Sequence, residues 1–327
     1  MKYLVIACAA MALVGCADKT APTAQPAPSD LIEGYALGEP VTHGNATFIP
    51  VVSTVPKDQV PEQDTITLSE AKKNGWVEII EIPGEEQVEF LSVRNTGDKP
   101  IFLMSGQLLL GGKQDRIVAE DTIVPPGKTV KVRVYCVEHG RWNGSSMHFD
   151  YSETMVPDKV RKSAQYEGQA SVWDEVAEKN QTVLYSTNVA GRSSSIKTYL
   201  SSDEVKGKVT DGAKKALAKL NGPNVVGVVF ALNGEIQTLE MFATPGLFTQ
   251  AAKPLIESFI AEAVMTERID KKLDNDKVRD FVRKCLNAPQ GDKEGVNQIT
   301  VAGEIRGNSY KTAAEAAPMH GSFEPTK

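Results

Sequence analysis

Four cysteines in 327 residues are too few for a disulfide-stapled scaffold. A cationic excess is also missing: 36 Lys+Arg stand against 42 Asp+Glu, a formal charge of −6 with an isoelectric point near 5.4. A nucleic-acid partner would require a basic face, so none is expected. The four histidines have no partner at metal-ligand spacing and no Cys-x-x-Cys occurs. A nucleophile elbow, a Walker loop and a dinucleotide fingerprint are absent too. The glycines between Gly106 and Gly112 are not followed by the Lys-Ser/Thr start of a helix. Neither a metal nor a cofactor is therefore expected. What is present is an apolar share of 41%, enough for a sizeable core in one large domain or two.

The only long apolar run lies at the start. Lys2 gives a minimal positive n-region, and Tyr3 to Val14 form twelve apolar residues. That suits the core of a signal peptide and falls short of the roughly 20 residues of a spanning helix. Leu13-Val14-Gly15-Cys16 resembles the lipobox of bacterial lipoproteins, which implies cleavage before Cys16 and acylation of its thiol and amine. Several acyl chains, at about 0.8 kcal/mol per buried methylene, anchor stably where one would not. Residues 16–30 are small, polar and proline-bearing, a tether that cannot bury a core. Ala17 after the acylated residue favours the outer membrane, facing the periplasm, over the inner membrane. The expected partner on that side is the membrane, reached through the lipid.

From Leu31 to Trp142 the pattern is that of strands. Trp76 to Ile82 and Gln87 to Arg94 are β-rich runs separated by Pro83-Gly84, and Asn95 to Pro100 is turn-rich. Thr129 to Glu138 alternates Val130, Val132, Val134 and Cys136 with mostly polar residues, a strand with one buried face. After Trp142 the character changes. Asn143 to Arg161 reads as a loop, Ser171 to Val176 as a helix start and Ser202 to Leu220 as a helix. Asn233-Gly234 between apolar runs predicts a hairpin over 225–242. Apolar residues of period 3.6 predict helices around Leu255–Val264 and Val278–Leu286. A last hairpin, Gln298 to Lys311, turns at Gly307-Asn308. The expected fold is α+β, a β-rich, sandwich-like region over 31–142 followed by a mixed helix and hairpin region over 143–312. A frayed tail over 313–327 completes the chain.

Cys136 and Cys285 remain once the leader is removed and Cys16 is acylated. Both are in phase with apolar neighbours, which suits core filling; a disulfide between them and a catalytic thiol are the other readings. The block from Ser105 to Trp142 carries the most chemistry. Gly111-Gly112 permits a tight turn and close backbone approach, directly before Lys113, Gln114, Asp115 and Arg116. Glu138, His139, Arg141 and Trp142 close the best strand. Lys99 to Arg141 holds seven basic and four acidic residues, whereas Lys57 to Asp98 holds four and ten. A locally positive patch in an acidic protein suits a small anion, which Arg grips in a bidentate way.

Gly111 to Arg116, Ile123 to Lys128 and Tyr135 to Trp142, in this order and spacing, resemble the domain family named for association with ADP-ribosylglycohydrolases and rhodanese/phosphatase proteins. Echoes continue through Ser171 to Trp173 and Gly227 to Ala263, so the resemblance spans most of 31–288. It implies a neighbourhood to NAD and ADP-ribose metabolism, which is an association and no mechanism. Asp115 stands where such families carry Asn, replacing a donor and acceptor with an acceptor alone.

The expectation is a lipid-anchored envelope protein that binds an anionic small ligand or a partner. Lys113, Gln114, Asp115, Arg116, Arg141 and Trp142 would form that site. The alternative is a hydrolase or transferase acting on a phosphorylated or ADP-ribose-like compound, with Glu138 or His139 as general base. Two placements would contradict a shared anion site: Arg116 and Arg141 on opposite faces, or Arg116 buried against a backbone carbonyl as a structural clasp.

Overall fold

Inward-facing valines and leucines on short strands close a barrel, and longer strands from both ends of the chain build a sheet beside it. The computed structural model describes residues 31–32, 34–56, 64–84, 88–140, 146–187, 194–264, 266–312 and 318–326. The chain opens with β1 (Leu31–Ile32), β2 (Tyr35–Leu37), β3 (Val41–His43) and β4 (Ala46–Ser53). Next come β5 (Ile66–Thr67), α1 (Leu68–Lys73), β6 (Val77–Glu81), β7 (Phe90–Asn95) and β8 (Ile101–Leu103). After these lie β9 (Gln107–Gly111), β10 (Arg116–Val118), β11 (Thr122–Val124), β12 (Thr129–Cys136) and β13 (His148–Met155). Helices α2 (Asp158–Tyr166), α3 (Gln169–Thr187), α4 (Ile196–Leu200) and α5 (Asp203–Leu220) follow. The rest is β14 (Val225–Leu232), β15 (Glu235–Phe242), α6 (Pro245–Val264), α7 (Asn275–Leu286), β16 (Gly295–Val301), β17 (Ile305–Lys311) and β18 (His320–Pro325).

Strands β10-β12-β7-β6-β13-β9 form a closed six-stranded barrel, all antiparallel. Period-two alternation sends Ile79, Leu91, Val93, Leu109, Val118, Val132, Val134, Phe149 and Tyr151 into one buried cluster. Each such side chain contributes roughly 1.5–3 kcal/mol on full burial. Ile117, Tyr135 and Val137 point outward and pack with Val160, Val172 and Val176 of α2 and α3. The sandwich-like region expected from the sequence is thus a barrel. Closure removes its edges, and its alternation is indistinguishable from that of a sandwich strand.

The other body is a nine-stranded sheet in the order β1-β2-β4-β14-β15-β18-β17-β16, with β3 beside β4. On one face α5 and α6 bury Phe48, Phe230, Phe248 and Phe259. On the other, α7 packs Val278, Phe281, Val282 and Cys285 against Ile49, Val229, Leu239 and Phe323. Side-chain caps start two of these helices: Ser202 Oγ accepts from Val205 N, and Asp274 from Asp276 N and Lys277 N. Helix α6 also reaches β5, which lies in a small three-stranded sheet β11-β8-β5, and the end of barrel strand β13: Gln250 Oε1 accepts from Thr67 N and Ser258 Oγ donates to Val156 O.

Four expectations are corrected. The division at Trp142 does not separate the bodies, because β4 pairs with β14 and β13 belongs to the barrel. Within Asn143 to Arg161, read as a loop, lie β13 and the start of α2. The last hairpin turns at Ala302-Gly303, both at positive φ, not at Gly307-Asn308. Gly307 is instead a strand residue, and a Cβ there would stand 2.5 Å from the Phe323 ring. Finally, the frayed tail contains β18, a strand hydrogen-bonded to β15 on one side and β17 on the other.

Candidate functional site

The Gly-Gly turn and the end of β12 meet at one mouth of the barrel. Arg116 lies opposite Cys136 in register and opposite Leu109 on its other side. Its side chain shares the inward face of Val118, as Cys136 shares that of Val134 and Glu81 that of Ile79. All three are buried, and Arg116 is 0% exposed. The turn depends on its glycines. Gly111 and Gly112 have φ of +127° and +53°. A Cβ at Gly112 would stand 2.1 Å from the Phe149 ring and 2.8 Å from Glu81 Oε1.

Hydrogen bonds knit this turn from within. Arg116 Nη1 donates to Gln114 O at 2.9 Å and to Gln114 Oε1 at 3.3 Å. Gln114 Nε2 donates to Glu138 O at 3.0 Å, and its Oε1 accepts from Cys136 Sγ at 3.2 Å. Asp115 Oδ1 accepts from Gly111 N at 3.0 Å, and Oδ2 pairs with Lys197 Nζ at 3.2 Å. Glu81 Oε1 accepts from Lys113 N at 3.1 Å. Helix α3 secures the facing strand end: Gln169 exchanges two hydrogen bonds with the backbone of Cys136. Glu138 bridges to Ser195, and the exposed His139 packs its ring edge-on to Trp173 at 4.4 Å.

Gln114, Asp115 and Arg116 are therefore buried members of a clasp, with Arg116 seated on the Gln114 carbonyl. This placement contradicts an anion site shared between the loop and the Arg141 strand end, and corrects the expectation of a solvated ligand-binding loop. The cause is register: residue 116 begins β10 on its inward face, so the guanidinium enters the barrel. The placement brings together Lys113, Gln114, Asp115, Arg116 and Glu138, with His139 alongside. Arg141 and Trp142 lie outside the described residues, as does Cys16. Cys136 and Cys285 are both free and buried. Burial pushes both thiols up; for Cys136, Arg116 pulls the other way and Glu81 adds to the rise. Neither setting generates a thiolate nucleophile.

The clasp leaves part of the guanidinium over. Among the described residues, Arg116 Nε and Nη2 have no hydrogen-bond partner. These two nitrogens form the side-on fork that grips a carboxylate or phosphate with two parallel hydrogen bonds. A buried charged donor left unpaired costs more than the ~1–3 kcal/mol of a neutral group. Glu81, a carboxylate on the same interior face, limits how much negative charge can enter.

A second polar cluster joins barrel to sheet, and sequence reasoning missed it. Arg161 of α2 makes a bidentate pair with Glu240 of β15 at 2.7 and 2.8 Å. Glu240 Oε2 is 2.9 Å from His320 Nε2, and His320 Nδ1 is 2.5 Å from Asp121 Oδ2. Asp121 Oδ1 accepts from Ser105 N, so the chain of charges ends on the barrel side. Burial alone would lower the His320 pKa, but the Asp121 and Glu240 carboxylates hold it up at about 9. Burial opposes the Glu240 charge as well, yet Arg161 and His320 bring its carboxyl well below the usual range. No spacing rule links residues 121, 161, 240 and 320. The usable signal was an Arg, a Glu and a His within otherwise buried elements.

Fold and motifs together define a β-rich α+β protein whose signature turn closes a small barrel. The chain belongs to the ARPP-1 family, the ARG and Rhodanese-Phosphatase-superfamily-associated Protein domain, whose model matches residues 34–322. The match runs through β18 to Ser322, beyond the end of the resemblance read from the sequence. No curated protein and no solved structure matches the chain.

Proposed function

We propose that this is a lipid-anchored envelope protein that binds a small oxyanion at the barrel mouth. The observation that carries the reading is the fully buried Arg116 with its Nε–Nη2 fork unpaired among the described residues. A carboxylate or phosphate oxygen pair fits that fork. Glu81 on the same face favours a ligand that also offers a hydroxyl donor and disfavours one of high negative charge. Beside this buried cluster, Lys113 and Glu138 are only half-buried. A binding role suits this site better than hydrolysis, because the residue opposite Arg116 is a protonated, buried thiol and His139 is packed against Trp173.

The test is calorimetric titration of hydroxylated oxyanions, among them ribose 5-phosphate, ADP-ribose and lactate. Arg116→Lys keeps the charge and loses the fork, so affinity should fall about tenfold to a hundredfold. Lys113→Gln, at a half-buried position, should slow or weaken binding without unfolding the protein. Saturable binding that is indifferent to both changes would sink the reading, as would no binding by any of the three probes.

The anchor is tested separately. Cys16→Ser should remove the acyl mass and release the protein from the membrane fraction. Membrane retention of that variant, with no acyl mass on the wild type, would rule the lipoprotein reading out.

A further inference from the structure

Where β3, α5 and the end of α6 meet, the surface sinks into a hollow of about 220 Å³, away from the barrel mouth. Its floor is apolar. Ile260, Ala263 and Val264 lie at i, i+3 and i+4 on one face of α6 and line the hollow together. Its rim carries Lys208 from α5 and Arg268 from the segment after α6, with the His43 ring from the end of β3.

The walls are fixed rather than incidental. Asn45 Nδ2 donates to Thr266 O at 3.1 Å, pinning the segment after α6 to the β3–β4 turn. Asn233 of the next hairpin holds the same segment, donating to Glu267 O and accepting from Ile269 N, both at 2.9 Å. The His43 ring sits on α5 where Gly212 makes room, since a Cβ there would stand 2.8 Å from the imidazole. No carboxylate lines the hollow. Nearby, Glu204 pairs with Lys208 at 2.7 Å, and Asp211 is engaged by Lys215 at 2.6 Å. Arg268 is exposed and has no ion pair among the described residues.

We propose that this hollow is a second binding site, for a small amphipathic carboxylate whose apolar body rests on α6 and whose charge meets Lys208 and Arg268. Size selects the class. A dry apolar cavity of about 150 Å³ accommodates benzene, so 220 Å³ holds one ring or branched chain and a short acidic head. Charge selects the sign, because two permanent cations, Lys208 and Arg268, line the hollow, no carboxylate does, and the nearby Glu204 and Asp211 are already paired with Lys208 and Lys215. The apolar floor excludes a bare inorganic anion as the preferred occupant, since it would leave Ile260 and Val264 wet.

Phenylacetate is the probe, titrated calorimetrically into the protein, with phenylacetamide as its neutral isostere and inorganic phosphate as an anion without an apolar body. Phenylacetate should bind at one saturable site, with the amide and phosphate about tenfold weaker or more. Changing both Lys208→Gln and Arg268→Gln should weaken phenylacetate by about tenfold or more. Thermal unfolding should not move, because both side chains are on the surface. Arg116→Lys, at the barrel mouth, should leave phenylacetate binding as it is. The proposal is overturned by absent phenylacetate binding, by equal binding of the amide, or by dependence on Arg116 instead of the rim.

Discussion

Gly112 shows how one residue can hold the barrel mouth in shape. Its φ of +53° is tolerable for an Asn or a Gly, but the space is not, with the Phe149 ring 2.1 Å from any added Cβ. Gly112→Ala should therefore cost about 2 kcal/mol or more, from backbone strain and from displacing a core aromatic. Chemical denaturation measures this, and a loss under about 0.5 kcal/mol would show that the turn can relax. The neighbouring Arg116 teaches the complementary lesson. Its presence in a polar run made it look like a solvated cation, and only the strand register turns it inward. The sequence carried the right residues for this site and hid their orientation, because a shift of one position exchanges the two faces of a strand.

At the scale of elements, β18 has the weakest signal and one of the most central places. Ser322 and Glu324 alternate with Phe323 in a strand between two others, and Ser322 Oγ donates to Glu240 Oε1 at 2.8 Å. Its polar side chains are satisfied by partners far away in the chain, so its hydropathy reads as a tail. A chain ending at Thr312 removes β18 and strips His320 from two buried carboxylates. Such a truncation should fail to reach a cooperatively unfolding state, followed by near-UV circular dichroism and thermal melting. A sharp, native-like transition would place β18 outside the folding unit. The long hairpin and helices α5 to α7 were legible for the opposite reason. Asn233-Gly234, the Ser202 cap and the 3.6 period of Val278, Phe281, Val282 and Cys285 are local signals, sufficient within about twenty residues. Barrel closure and the pairing of β4 with β14 are long-range facts that no local window contains.

For the whole molecule, the buried chain Asp121–His320–Glu240–Arg161 fixes how barrel and sheet respond to pH. His320 touches a carboxylate with each ring nitrogen, and carboxylates only accept, so both nitrogens donate and the imidazolium is the folded form. With its pKa held up at about 9 against an ordinary 6.5, His320 contributes stability that is complete below pH 6.5 and lost as pH rises through 9. Glu240, held below its ordinary 4.5, contributes above pH 4.5 and loses that contribution in acid. The cluster is thus fully effective between about pH 4.5 and 6.5. Deprotonating His320 takes the donor from one of its two carboxylate contacts, leaving a ring nitrogen and a carboxylate oxygen facing each other as acceptors in a buried layer, while Arg161 remains paired with Glu240 alone. The loss from pH 6.5 to 9 is on the order of 3 kcal/mol at most, at about 1.4 kcal/mol per unit. Denaturation midpoints across this range should fall steadily in the wild type. In His320→Gln, where the amide does not titrate, the starting stability should be lower and the slope nearly flat. Parallel slopes in the two proteins would assign the pH dependence to other groups and leave the junction a static one.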